Sequence, residues 1–229
     1  MSSVSEKNSE KAQAYETPTV SERIPAAERR EQILAAASTV FGERGYSGTT
    51  TDQVAQAAGI SQPYVVRMFG GKENLFVEVL GRALDKLTIA FQTAIDASKA
   101  AGEDSATRSN RMGAAYADLI ADRGILMSLM QGFIMGHDPV IGASARTGFL
   151  SIYRLLREDA GMEADDVVTF LAHGMLFNTL VAMRMPDEYG HDLQATELVD
   201  CTFRTKLDMV LGIVTQASQA AKRTAANPA

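Results

Sequence analysis

Gln62 and Arg67 sit five positions apart in the segment QPYVVRMF. Theirs are the side chains that make paired hydrogen bonds to an adenine edge and a guanine edge respectively. Ser61 before them and Tyr64 between them add two hydroxyls that can reach a phosphate or a base. Other chemistry is thinly supplied. The histidines, His137, His173 and His191, show no i, i+4 pair or other metal-ligand spacing. Neither a glycine-rich phosphate loop after a strand nor a nucleophile elbow occurs. Cys201 is the single cysteine, so no intramolecular disulfide can form, which suits a reducing compartment. It reads as a plain helix residue, with a redox-sensing thiol as the alternative. No catalysis, metal or cofactor is expected.

Reading side chains need a rigid mount, and the flanking residues predict one. Ile33, Leu34, Ala37, Val40 and Phe41 recur at helical spacing in a helix ending near Gly42 and broken by Gly45, after which Tyr46 returns an aromatic to the core. A second helix opens at Thr50, whose hydroxyl can cap free backbone amides while Gln53 reaches back, the spacing of a capping box. Val54, Ala55 and Ala58 form its buried side. Gly59 supplies the left-handed residue that ends it, and Ile60 plugs the small core. Ser61 then serves as N-cap of a third helix, Gln62 to Phe69, with Pro63 tolerated in the first turn because amides there lack intrahelical partners. Two helices joined by the tight Ala57 to Ser61 turn form a helix-turn-helix.

The run Thr49-Thr50, Val54-Ala55 and Ala58-Gly59-Ile60-Ser61, the short helix closing on Phe69, and Gly71-Lys72-Glu73-Asn74-Leu75-Phe76 together resemble the DNA-binding domain of the tetracycline-repressor (TetR) family. The resemblance covers Arg30 to Leu75. It implies that Ser61, Gln62, Tyr64 and Arg67 face the major groove, with Gln62 and Arg67 reading bases. Thr50, Tyr64 and Lys72 would hold phosphates and set register, and Lys72 matches the family's phosphate-contacting lysine. Tyr64 has packing under the third helix as its alternative. The chain departs from the family pattern at Val66, where a tyrosine is usual, and at Met68, where a histidine often precedes the closing Phe. Both family residues meet phosphates, and Tyr64 and Arg67 are the candidates to replace them. Gly71 caps the fourth helix more weakly than the usual small hydroxyl residue.

The 229 residues, 46% of them hydrophobic, suffice for one small domain and one of about 150 residues. The formal charge of −6 divides unevenly. Residues 1–75 hold 8 Lys plus Arg against 9 Asp plus Glu, leaving 14 against 19 for residues 76–229, or −1 and −5. A head of this charge needs a local basic patch and a second head to bind DNA tightly. No basic start followed by an apolar stretch marks a signal peptide. The longest apolar run, Val167 to Met183, is interrupted by His173, Gly174, Asn178 and Thr179 and falls short of the roughly 20 residues of a membrane span. A soluble, cytoplasmic protein is expected.

The domains expected are a flexible arm at 1–25, the helix-turn-helix at 26–71, a helical domain at 72–221 and a disordered tail at 222–229. In the arm, Lys7, Lys11 and Arg23 could enter a minor groove. One long helix runs from Lys72 to about Ala100. Further helices are predicted over about Ala106 to Asp122, Ile125 to Met135, Pro139 to near Gly161, Ala164 to Met185 and Thr196 to Ala220, with a polar loop at 186–193. The fold class is all-α.

The last two helices have broad apolar faces, and a second copy of the chain is the economical partner, as a four-helix bundle across a two-fold axis. Such a homodimer sets two recognition helices roughly 34 to 36 Å apart on double-stranded DNA with a palindromic operator. Within the second domain Met112, Met130 and Met175 can line an adaptable pocket or simply pack. Tyr116, Arg146, His173 and Asn178 are polar residues set in apolar stretches that could meet a small-molecule effector, which the resemblance also implies. His173 and Asn178 could instead bond across the dimer, and Arg146 could cap a helix. The function expected is an effector-responsive repressor, released from DNA by a small, largely hydrophobic or aromatic molecule. The alternative is a dimeric DNA-binding regulator without an effector. A pocket of roughly 300 Å³ or more separates the two.

Overall fold

The computed structural model describes residues 25–212. The minor-groove candidates Lys7, Lys11 and Arg23, the end of the last predicted helix including Val214, and the predicted tail lie outside the described residues. Among the described residues the fold is all helix, with no strand.

Helix α1 spans Ala26–Gly48, buries Ile33, Leu34, Ala37, Val40 and Phe41, and breaks at Gly45, where φ is 73°. The break turns the chain so that Thr49 Oγ1 donates to the Gly45 carbonyl at 2.7 Å. Helix α2, Thr51–Ala57, carries the expected capping box between Thr50 and Gln53. Gly59 has φ 66°, the left-handed turn residue. Helix α3, Gln62–Phe69, follows Ser61, whose side chain makes no capping bond. Helix α4, Lys72–Ala100, then crosses from the head into the second domain.

Four of the next five helices start at an aspartate that accepts from backbone N–H groups of the first turn: α5, Ser105–Ile120, at Asp104; α6, Arg123–Ile134, at Asp122; α7, Pro139–Arg154, at Asp138; and α9, Leu193–Phe203, at Asp192. Helix α7 relaxes into a π-helical turn over Leu155–Asp159, and α8, Ala164–Ala182, carries Asp165 and Asp166 in its first turn. Two expectations are corrected. The loop after α8 includes a 3₁₀ turn, Met185–Glu188, and the last helix is not continuous. Arg204, with φ 45° and ψ −115°, ends α9, a 3₁₀ turn covers Arg204–Lys206, and helix resumes over 207–212.

Phe41, Tyr46 and Phe76 pack ring against ring at the centre of the head. Helix α6 lies directly on α1, and small residues bring the two backbones together. A Cβ placed on Gly42 would sit 3.2 Å from the Gly124 Cα. Gln131 Nε2 donates to the Phe41 carbonyl at 2.8 Å across the same contact.

Candidate nucleic-acid interface and cavity

The head presents the predicted reading residues with their polar atoms partly engaged. Thr50 Oγ1 accepts the Gln53 N–H at 3.2 Å and Gln53 Oε1 accepts the Thr50 N–H at 3.0 Å. The Thr50 hydroxyl proton is left to donate outward. Ser61 is exposed. Gln62 Nε2 donates to Thr51 Oγ1 at 3.1 Å, so the side chain ties α3 to α2 and keeps its carbonyl oxygen and one amide N–H to offer. Tyr64 is half-buried against the head core, and Arg67 is exposed with its guanidinium 5.0 Å from the Tyr64 ring centre. The Tyr64 ring packs, and it also carries Arg67. Lys72 Nζ donates to the Tyr46 carbonyl at 3.1 Å and stands 4.5 Å from the Tyr46 ring centre. Its ammonium is therefore held at the junction of α4 with α1. Met68 packs on the core and leaves no polar group there.

Sequence reasoning passed over Arg30, which lies 4.9 Å over the Phe69 ring and pairs with Glu78. The contact fixes the end of α3 against α1 and α4. Its signal is a basic residue on α1 that the apolar stripe left unexplained.

The second domain holds a cavity of about 860 Å³, open to solvent on one side and bounded by α4, α5, α6, α7, α8 and the chain about the end of α9. Phe91, Phe133, Phe149, Phe170, Phe177 and Phe203 form much of its wall. Of the seven predicted effector residues, Tyr116, His173, Met175 and Asn178 lie on the wall. Three do not. Met112 is fully buried in the core with Phe91 and Ile95 and does not reach the cavity. Met130 packs against the cluster of Ala117, Leu126 and Phe177. Arg146 is exposed and donates through Nη1 to the Gly136 carbonyl at 3.1 Å, closing the turn before α7. His137 is also exposed.

The wall's polar residues are paired. Tyr116 donates its hydroxyl to Asn178 Oδ1 at 2.7 Å, and burial pushes that hydroxyl up to about 12. His173 Nε2 is 3.2 Å from the Thr202 carbonyl, an acceptor that requires the proton on Nε2. These bonds join α8 to α5 and α9 within one chain. Arg204 and Lys206 also line the cavity. Sequence reasoning missed them because a continuous last helix puts them on its solvent face. The break at Arg204 brings them to the edge of the cavity.

The outer surfaces of α8 and α9 leave large apolar residues exposed. Val168 is 61%, Met183 59% and Leu193 89% exposed, with Leu176 and Leu198 beside them on the same helices. Cys201 is exposed on α9. Among the described residues no helix is long and apolar enough to cross a membrane.

Residues 33–79 match the family model described as bacterial regulatory proteins, tetR family. The chain is similar to the HTH-type transcriptional activator FasR of Mycolicibacterium smegmatis, with 29% identity over 148 residues, 62% of this chain and 65% of that protein. It is also similar to the HTH-type transcriptional repressor KstR2 of the same species, with 37% identity over 70 residues, 31% of this chain and 34% of that one. The matched stretch thus spans less than two thirds of either curated relative. Among solved structures, a TetR-like transcriptional regulator from Rhodococcus sp. RHA1 aligns with a TM-score of 0.55 and 19% identity over 86% of this chain and 99% of the other. A tetR-family transcriptional regulator from Streptomyces coelicolor aligns with 0.52 and 20% over 88% and 98%. The helix-turn-helix head, residues 33–79, thus matches the tetR family of bacterial regulatory proteins in sequence, and the all-helical fold is shared with such regulators along most of the chain.

Proposed function

We propose that the chain is a cytoplasmic, homodimeric, DNA-binding transcription regulator whose DNA affinity is set by a small apolar effector, and that it acts as a repressor. Residues 26–71 serve as the reading head and 72–221 as the sensing and pairing domain. The observation that carries the reading is the cavity of about 860 Å³, far above the roughly 300 Å³ a ligand needs, set one helix away from the head. It favours the effector reading over a domain that only dimerises. The exposed apolar residues of α8 and α9 supply a self-complementary face for pairing. A cavity remote from the recognition helix suits release of bound DNA, the behaviour of a repressor. Helix α6 contributes Leu129 and Phe133 to the cavity and packs on α1. A ligand that prefers one position of α6 therefore shifts the separation of the two heads.

The test is a fluorescence-polarisation titration of the protein against DNA from its own upstream region, at several salt concentrations, with and without aromatic and lipophilic compounds. Tight, salt-dependent binding that one compound class weakens about 5- to 150-fold is expected, the range of a 1 to 3 kcal/mol coupling. Arg67→Ala should relax sequence preference, and Lys72→Ala should weaken all sequences alike and flatten the salt slope. A compound that binds tightly and leaves operator affinity unchanged would overturn the effector reading.

A further inference from the structure

Asn178 forms part of the cavity wall and is 2% exposed. Its carbonyl oxygen is used by Tyr116. Its amide carries two N–H donors, and their neighbour is the Met175 thioether at 4.0 Å, a soft and weak acceptor at a long distance. The orientation follows from the same two neighbours. Turning the amide over would set its oxygen against the sulfur, acceptor facing acceptor. A buried N–H without a good acceptor destabilises the empty site, and a ligand oxygen placed there removes that defect.

The surroundings decide which oxygen. The cations on the wall lie toward solvent: Arg204 is exposed, with Nε on the Cys201 carbonyl at 3.2 Å, and Lys206 pairs with the exposed Asp118 at 2.9 Å. His173 donates to Thr202. A carboxylate at buried Asn178 would have the Tyr116 hydroxyl and the Met175 thioether beside it rather than a cation, which is costly in an apolar wall. From this we infer that the effector carries a neutral acceptor oxygen, a ketone, ester or amide carbonyl on an apolar body, and that this carbonyl accepts from Asn178 Nδ2. The inference rests on the effector reading above and names the chemistry of that same cavity.

Benzophenone and diphenylmethane differ by one carbonyl at nearly constant shape, and diphenylacetate supplies the anionic comparison. Their displacement of Nile red is measured on the full-length protein and on Asn178→Leu. Because water solubility cancels between proteins, the quantity read is the ratio of the benzophenone to the diphenylmethane dissociation constant. That ratio should rise about 5- to 10-fold in Asn178→Leu, the worth of one lost hydrogen bond, while diphenylmethane binding holds. An unchanged ratio overturns the inference and leaves the cavity standing as an effector site. Stronger displacement by diphenylacetate than by benzophenone overturns it in favour of an anion. Failure of the wild-type protein to bind Nile red or any of the three overturns the effector reading itself. Infrared spectroscopy of carbonyl-labelled benzophenone on the wild-type protein needs no variant. A stretch lowered from its apolar-solvent frequency supports the inference, and an unshifted one overturns it.

Discussion

Two edge-to-face phenylalanine pairs divide the molecule. Phe41 and Phe76 meet at 4.9 Å in the head, both fully buried, with Tyr46 closing the triangle. Phe133 and Phe149 meet at 5.6 Å in the second domain, and both border the cavity. The contact is the same, but the first pair completes a packed core and the second frames an empty space. Side chains of the head are thus fixed on every side, whereas those of the cavity wall have somewhere to move.

The sharpest way to break this comparison is truncation. Phe41→Ala should destabilise by about 3 to 5 kcal/mol in urea unfolding, and Phe149→Ala by less than about 1 kcal/mol, since its ring already adjoins space. Equal losses would show the cavity to be as tightly packed as the head. Added volume gives the next largest difference. A Cβ on Gly124 would lie 2.7 Å from Ser38 Oγ and 3.1 Å from Ser38 backbone carbon, so Gly124→Ala should cost about 1 to 3 kcal/mol. A Cβ on Gly148 would come still closer, 2.1 Å, to Leu84 Cδ1. Leu84 is on the cavity wall and can swing into it, so Gly148→Ala should cost under about 1 kcal/mol and instead reduce Nile red binding.

Within the head, local capping can be separated from packing. Thr50→Ala removes the hydroxyl that accepts the Gln53 N–H, leaves the backbone half of the capping box in place, and should lower stability by about 1 kcal/mol. Ser61→Ala, at an N-cap whose hydroxyl caps nothing, should stay within about 0.5 kcal/mol. Thermal melts of the two variants read the contrast directly. The smallest effect appears only at high pH. Tyr116 is raised from 10.0 to about 12 by burial, so the fold favours its neutral form. That contribution is complete below pH 10 and is lost as pH climbs from 10 through 12. Tyr116→Phe should flatten this alkaline loss, and an unchanged slope would place the hydroxyl in water.

The head was legible because its signals are local. Thr50, Gln53, Gly59 and Pro63 each act on backbone within one turn, and α2 and α3 begin and end where those residues direct. The cavity domain depends on which side of a helix faces which neighbour. Met112 and Tyr116 are one turn apart on α5, yet the methionine enters the core and the tyrosine reaches the cavity. Nothing in their spacing separates them. The break at Arg204 was hidden for a related reason. Leu198, Val199, Phe203, Leu207 and Val210 keep helical spacing across it, and arginine is not a residue that announces positive φ.

The close approach of Gly42 and Gly124 also bears on how such a regulator can evolve. Leu129 and Phe133 share α6 with Gly124 and Gln131, so a substitution that reshapes this side of the cavity is also felt where α6 seats on the head. The wall built by α8, Met175 among it, faces no such seam of glycines. With an effector in the cavity as proposed, new preferences would be acquired most readily on α8, while α6 would drift slowly, held to the requirements of two binding events at once.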